Sequence, residues 1–375
     1  MEQKDIKLFT PLTIVLLIIA AAGSVAMLYR VFFGLGASTN LNDTWPWGLW
    51  ITFDVLGGVA LAAGGFVIGG TVYLLNWKKY EPIVRPAILN AFFGYALAAT
   101  SITLDIGKPW AIWHPLVMWQ VNSIMFIVAI HVVLYTTTLA TESSPLVFEK
   151  LGMTKAFHFV EKIMPAIALF GVMLSLLHQS SLGAVFLIAP VKVSPLWYSS
   201  LLPYLFLVSA VMLALSMVSF ETIVSSRVFK HTPPMEVLLG LARGSLIVSG
   251  FYLALKLWIL FTGPGIGLAF NGSLTSNMYL IEMIIGVILP FLLLTMKNVR
   301  TQLNGILCVN IFVIMGTVLN RFNVGIISMA EHNTRIGVDY FPSWMEFLVT
   351  MAMVAFAILG FKLCVKYLNV LKLEH

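Results

Sequence analysis

The chain has 375 residues, of which 59% are hydrophobic and only 10% charged, with a formal net charge of +6. Soluble domains carry roughly 25% charged residues, so a chain this poor in charge cannot cover a water-facing surface. A soluble enzyme, a secreted disulfide scaffold and a disordered protein are excluded. The 22 basic residues are scattered between apolar segments with no interleaved aromatic patch, which excludes a nucleic-acid surface.

A mixed-charge start over residues 1–7 leads into an apolar stretch of about 25 residues, too long for the core of a cleaved signal peptide. Crossing a hydrocarbon core takes roughly 17 to 25 apolar residues. Ten segments meet that need, near 10–30, 50–76, 86–105, 117–140, 163–188, 200–220, 236–261, 279–296, 303–320 and 342–367. Lipid offers the backbone no partners, so each is predicted to be a helix. The fold expected is an all-α integral membrane protein, a single polytopic membrane domain over 1–375. The third segment, interrupted by Thr100, Ser101 and Asp105, and the short ninth depart furthest from an unbroken span. Gly57, Gly58, Gly64, Gly65, Gly69 and Gly70 stripe the second segment, a spacing that lets helices approach closely. Trp45, Trp47, Trp50, Trp110, Trp113, Trp119 and Trp197 gather at one set of helix ends, where an interfacial aromatic belt is expected. The loops near 31–49, 262–278 and 321–341 are too short to fold alone, so a catalytic soluble module has to come from another chain.

Basic residues give the orientation. With the N-terminus in the cytoplasm, the inside segments hold Lys4, Lys7, Lys78, Lys79, Arg85, Lys150, Lys155, Lys162, Arg227, Lys230, Arg243, Lys297, Arg300, Lys362, Lys366 and Lys372. The outside segments hold only Arg30, Lys108, Lys192, Arg321 and Arg335, and Lys256 lies within a span. Such asymmetry marks the cytoplasmic side, so both termini are expected inside.

Ionisable residues within spans are costly and point to function by default. Asp54 lies about two turns below the outer end of the second span, Asp105 at the outer end of the third, and Asn122 and Ser123 a turn into the fourth. His178 stands in the outer part of the fifth, Lys256 in the outer half of the seventh, Glu282 a turn into the eighth, and Arg321 at the outer end of the ninth. Glu221 and Arg243 lie near the cytoplasmic face and His131 near the middle. Ordinary readings exist for several. Glu221, Arg243 and Glu346 can snorkel or cap, Lys256 and Glu282 can form an ion pair, and Arg321 can anchor at an interface. A short aspartate cannot snorkel from the depth of Asp54.

The run His178-Gln179-Ser180-Ser181 puts four polar side chains in succession on an apolar helix, so some must face a cavity or an occupant. Together with Asp54, Asp105 and Asn122 these residues describe a polar pocket near the outer surface. A quinone suits it, because the tail enters from lipid while the oxygens need donors and proton carriers. Histidine can both donate to a quinone oxygen and carry its proton. Cys308 and Cys364 show no metal or covalent-haem spacing, and Gly263-Pro264-Gly265-Ile266-Gly267 is a turn after a helix, not a nucleotide loop. A bis-histidine haem could use only His131 and His178, which are expected at different depths. No haem, iron–sulfur cluster or metal is therefore expected in this chain.

Phe33-Gly34-Leu35-Gly36, Trp45-Pro46-Trp47-Gly48-Leu49-Trp50-Ile51 and Phe53-Asp54 resemble the NrfD/PsrC-like membrane quinone oxidoreductase subunits, and among them the HybB-type subunit of periplasmic nickel–iron hydrogenase. Arg85-Pro86-Ala87, Ser101-Ile102-Thr103-Leu104-Asp105-Ile106-Gly107, Asn122-Ser123, His178-Gln179-Ser180-Ser181, Pro195-Leu196-Trp197, Phe220-Glu221 and Tyr340-Phe341-Pro342-Ser343-Trp344 extend the likeness over nearly the whole chain. The resemblance implies a haem-free anchor in the bacterial inner membrane. It exchanges electrons between a periplasmic ferredoxin-like iron–sulfur subunit, joined to a catalytic subunit such as a nickel–iron hydrogenase, and membrane menaquinone or ubiquinone. On that reading His178, Asp54 and Asp105 act in catalysis, and Gln179, Asn122 and Arg321 help bind the quinone. His131, Glu221, Lys256 and Arg243 mark a proton path and open the further expectation of proton translocation. One departure stands out. Where the hydrogenase-type pattern has an acidic residue four positions after the serine of Asn122-Ser123, this chain has Ile127, and one turn further inward it has His131. An ion or solute transporter is the alternative, since intramembrane charges also mark transport paths; a purely structural anchor would leave Asp54 and His178 unexplained. A reporter active only in the periplasm is expected to be silent when fused to the C-terminus, and activity there would reverse the orientation.

Overall fold

The computed structural model describes residues 6–371. Lys4 and Lys372, assigned above to the cytoplasmic side, lie outside the described residues. Ten membrane-crossing helices are present among the described residues. They are α1 (Pro11–Phe33), α2 (Trp50–Tyr73), α3 (Lys78–Asp105), α4 (Ile124–Lys150), α5 (Thr154–Ile188), α6 (Leu202–Val228), α7 (Met235–Thr262), α8 (Leu274–Thr295), α9 (Leu303–Arg335) and α10 (Trp344–Tyr367). Their ends carry ordinary start signals. Thr10 accepts from the Thr13 amide ahead of α1, Ser123 from Phe126 ahead of α4, and Ser343 forms a capping box with Glu346 at α10.

Helices α2 to α5 pack as one four-helix bundle and α6 to α9 as a second. The bundles meet where α2 lies against α6 and α9, and α5 against α6. Helices α1 and α10 pair with each other along the flank of α3. The apolar stretch of α2 is 72% buried against 22% for α1, so α2 is the central post and α1 faces lipid. Glycine makes that position possible: a Cβ on Gly65 would stand 2.5 Å from the Ala91 Cβ of α3. We call the side on which α1 begins and α10 ends the terminal face, and the opposite side the distal face.

Several boundaries differ from expectation. Helix α4 starts at Ile124 and runs to Lys150, ten residues past its apolar stretch, and α5 begins at Thr154. Helix α9 does not stop at 320 but continues to Arg335, so most of the expected loop 321–341 is helical. Amphipathic sequence, not apolar sequence, carries these extensions beyond the hydrocarbon. The aromatic belt is also only partly present. Trp110, Trp113 and Trp119 are exposed, whereas Trp45, Trp47, Trp50 and Trp197 are buried. The indole nitrogens of Trp50 and Trp197 donate to the Glu346 carbonyl at 3.2 Å and the Glu282 carboxylate at 2.8 Å. An indole with an internal acceptor has no need of the headgroup layer.

Three helices contain π-helical turns, at Trp50–Gly57 in α2, Glu282–Ile288 in α8 and Asn323–Ile327 in α9. Such turns are uncommon and concentrate at functional positions. Each of these holds a buried polar residue: Asp54, Glu282 and Asn323.

Candidate functional site

Buried polar side chains collect in three places. The first lies inside the bundle of α2 to α5. His178 of α5 is completely buried, and neither ring nitrogen has a hydrogen-bond partner. Its ring centroid stands 5.6 Å from Tyr95 of α3 and 6.0 Å from His131 of α4. Tyr95 in turn meets Tyr135 of α4 edge-on at 4.4 Å. The hydroxyls of Tyr95, Tyr135 and Ser175, the Gln179 Oε1 and the His131 Nδ1 are likewise unpartnered. Ser175 lies beside both tyrosine hydroxyls, and Gln179 anchors the same helix by donating to the Val59 carbonyl of α2 at 3.1 Å. Buried polar groups are nearly always paired, and each unpaired one costs about 1–3 kcal/mol. A concentration of them around one histidine makes this cluster the candidate site.

His131 and His178 are thus at one depth, which corrects the expectation that they lie apart. They share a cluster because α4 starts seven residues later than its apolar stretch. A haem between them would have to enter where the Tyr95 ring and the His131 ring now pack against His178, so the arrangement does not fit a macrocycle. A flat ring with two oxygens suits the unpartnered donors better. No group of three His, Cys, Asp or Glu side chains able to hold a metal ion occurs among the described residues.

The second place is the distal end of α1, α2, α3 and α10. Asp54 accepts a hydrogen bond from Thr350 of α10 at 2.9 Å, and Ser101 of α3 stands near the same carboxylate. Arg30 of α1, 1% exposed, donates to the Leu104 and Ile106 carbonyls at 2.7 Å each. It closes the C-terminal end of α3, where a cation is favoured by the helix dipole. Its charge also lies near Asp105, whose Oδ1 has no hydrogen-bond partner. Asp54 and His178 flank one face of α3, since Tyr95, Ala98 and Ser101 follow one another at helical spacing and are all fully buried. Outside the spans, burial and the neighbouring Glu346 carboxylate push the Tyr340 phenol well above its usual range. Its hydroxyl donates to Glu346 and receives the Leu49 amide, tying α10 to the entrance of α2.

The third place is the core of α6 to α9. Lys256 and Glu282 form an ion pair at 2.6 Å, with 4% and 1% exposure. Glu282 also receives hydrogen bonds from Trp197, Asn320 and Asn323 at 2.8–2.9 Å. Arg321 donates to the Asn320 side chain and Ser209 at 2.8 Å and lies 3.8 Å over the Phe206 ring. Arg321 therefore belongs to this third cluster and is not beside His178. Asn122 is exposed on the distal segment ahead of α4. Glu221 sits near Asn90 between α6 and α3, and Arg243 is exposed on α7. Of the residues expected along a proton path, only His131 joins the His178 cluster. Tyr95, Tyr135, Ser101, Thr350 and Arg30 were not singled out from sequence: a tyrosine or threonine on an apolar helix reads as core, and Arg30 reads as a loop cation.

Removing one member of the ion pair leaves the other buried and unpaired, which costs about 3–5 kcal/mol. Glu282→Ala is expected to lower the detergent-solubilised melting temperature markedly, while Lys256→Met with Glu282→Met recovers much of the loss. Equal stability of the single and double variants would show that the pair has no such role.

Comparison with known proteins fits this architecture. Residues 37–330 match the family described as "Polysulphide reductase, NrfD". An Escherichia coli protein described as "Probable Ni/Fe-hydrogenase 2 b-type cytochrome subunit" is 30% identical, over 98% of this chain and 93% of its own length. A Nitratidesulfovibrio vulgaris protein described as "Menaquinone reductase, integral membrane subunit" is 28% identical, over 92% of this chain and 88% of its own. Another protein of that organism, whose description states no activity, is 38% identical over 96% of this chain and 95% of its own. The chain belongs to the NrfD family.

Proposed function

From that membership and the geometry above, we propose that the chain is the quinone-reactive membrane subunit of a respiratory electron-transfer complex in the bacterial inner membrane. It exchanges electrons between the quinone pool and an external iron–sulfur subunit, which docks on the distal, periplasmic face and belongs to a nickel–iron hydrogenase. The observation that carries the reading is His178, fully buried with both ring nitrogens unpartnered beside two unpartnered tyrosine hydroxyls. The descriptions of the E. coli and N. vulgaris relatives, one hydrogenase-linked and one menaquinone-linked, support it.

A bound quinone, menaquinone by this reading, supplies the two-electron, two-proton couple, and the protein does the rest. His178 holds a headgroup oxygen and holds or moves a proton at its ring nitrogen. Tyr95 and Tyr135 supply further donors of the right reach. His131, only partly buried on α4, stands between this cluster and the outer surface of the bundle and exchanges protons with His178. Gln179 fixes the register of α5 through Val59, and Asp54 and Asp105 line the distal approach, with Arg30 holding the α3 end in place. The transporter alternative has less to rest on, because two of the intramembrane charges, Lys256 and Glu282, pair with each other.

His178→Ala is expected to abolish quinone-linked turnover while leaving assembly and artificial-dye activity of the complex nearly intact. Loss of the hydrogen bond alone is worth roughly 1.5–3 kcal/mol, and loss of the proton carrier adds to it. Normal quinone-linked activity in the assembled variant would overturn the assignment, and an absorption spectrum with haem bands in the purified chain would overturn the haem-free reading.

A further inference from the structure

Glu142 belongs to none of the three clusters and has no role in the reading above. It lies on α4 in the half nearer the terminal face, is 9% exposed, and makes no side-chain hydrogen bond or ion pair among the described residues. A carboxyl enclosed by protein without a partner is expensive to keep unless it serves a function. We propose that Glu142 is the inner end of a proton line that runs along α4 through Thr138 and Tyr135 to the His178 cluster.

Helical geometry sets the line. Positions 131, 135, 138 and 142 follow at steps of four, three and four, so their side chains share one face of α4. Tyr135 and Thr138 are 0% and 6% exposed, so this face looks into the bundle. Tyr135 and Glu142 are seven residues apart, about 10.5 Å along the axis, and Thr138 stands between them. The Thr138 hydroxyl donates its proton to the Leu134 carbonyl at 2.8 Å, which leaves its oxygen free to accept.

Across from this face is Gly171 of α5. A Cβ there would stand 3.3 Å from the Glu142 Oε1, 3.3 Å from the Thr138 Cγ2 and 3.5 Å from the Tyr135 Cε2. With no side chain on α5 at this point, Glu142, Thr138 and Tyr135 all close on the Gly171 backbone and so on one another's neighbourhood. Above Gly171, the Tyr135 and Tyr95 ring centroids are 4.4 Å apart and those of Tyr95 and His178 5.6 Å apart, with Ser175 beside both tyrosine hydroxyls. Below it, Tyr73 at the end of α2 lies in electrostatic range of Glu142 and also of Arg85, Glu161 and Glu81, the charged groups that face it from α3 and α5. The line thus ends among water-accessible charges at the terminal face.

The inference rests on the assignment of a quinone to the His178 cluster. When quinone is reduced there, the two electrons come from the external iron–sulfur partner, and the two protons enter at Glu142 and reach the oxygens through Tyr135 and His178. Oxidation of quinol sends the same protons back along the line.

The test uses the intact complex in vesicles, with quinone-linked turnover and proton uptake at the terminal face measured together. Glu142→Gln is expected to lower turnover at least about tenfold, as loss of a proton-transfer group does, and to remove uptake from that face, with the KM for quinone unchanged. Glu142→Asp is expected to restore part of both and to shift the pH profile of the rate. Gly171→Val, which wedges a side chain among Glu142, Thr138 and Tyr135 and leaves every titratable group in the sequence, is expected to resemble Glu142→Gln. Wild-type turnover and uptake in assembled Glu142→Gln would overturn the proton line. If His178→Ala is inactive in that experiment, only the line fails; if His178→Ala is fully active, the quinone assignment itself has failed.

Discussion

Hydrocarbon offers no hydrogen-bond partners, and that constraint organises the whole molecule. Every polar side chain placed inside the ten spans has to find a protein partner or stand ready for a guest. The two four-helix bundles answer the demand differently. In α6 to α9 a lysine, a glutamate, an arginine, two asparagines and a tryptophan close on one another, with the Arg321 Nε, the Asn323 Oδ1 and the nearby Thr317 hydroxyl left unpartnered. In α2 to α5 the comparable depth holds two histidines, two tyrosines and a serine that leave their polar atoms free. A network built around a direct ion pair fixes a structure, while a cluster of neutral unpaired groups keeps hydrogen-bonding capacity for a guest. On the function proposed above, the chemistry lies in the first bundle and the second packs against it as a support.

Helix α2 connects these roles. It packs against α3 and α5 within its own bundle and against α6 and α9 of the other. Its glycines permit that crowding, and its π-helical turn turns Asp54 toward Thr350 of α10. An extra residue in a turn rotates all that follows relative to what precedes it, and it opens one carbonyl. The turns at Glu282 and Asn323 act likewise on the facing sides of α8 and α9, bringing both residues onto the same carboxylate contact at 2.8 Å. A regular α-helix would send one of each pair toward lipid.

Much of this was legible in the sequence. Ten spans follow from apolar length alone, and the polar run at His178 stands out because consecutive positions cannot all face lipid. The interhelical pairing of Lys256 with Glu282 was legible as well. Other features were hidden for physical reasons. Tyr95 and Tyr135 carry no signal of their own on an apolar helix. Trp50 and Trp197 look like belt residues until their internal acceptors are seen. Arg30 belongs to the last turn of α1, where a cation reads as a surface residue, yet two backbone carbonyls 74 and 76 positions away hold it inside.

Glu142 shows how a misplaced helix end conceals a buried carboxyl. Hydropathy ends the fourth span near 140, which puts Glu142 in a loop where a carboxylate needs no explanation. The helix continues to Lys150, through Pro145, because α4 and α5 extend together past the hydrocarbon and pack on each other there. Tertiary packing, not apolar composition, sets the end of that helix. Once α4 is drawn at its full length, the carboxyl falls on the same face as Tyr135, opposite Gly171 of α5. Its burial then requires a reason, and the geometry supplies one only along the axis of α4, between the charged terminal face and the unpartnered groups around His178.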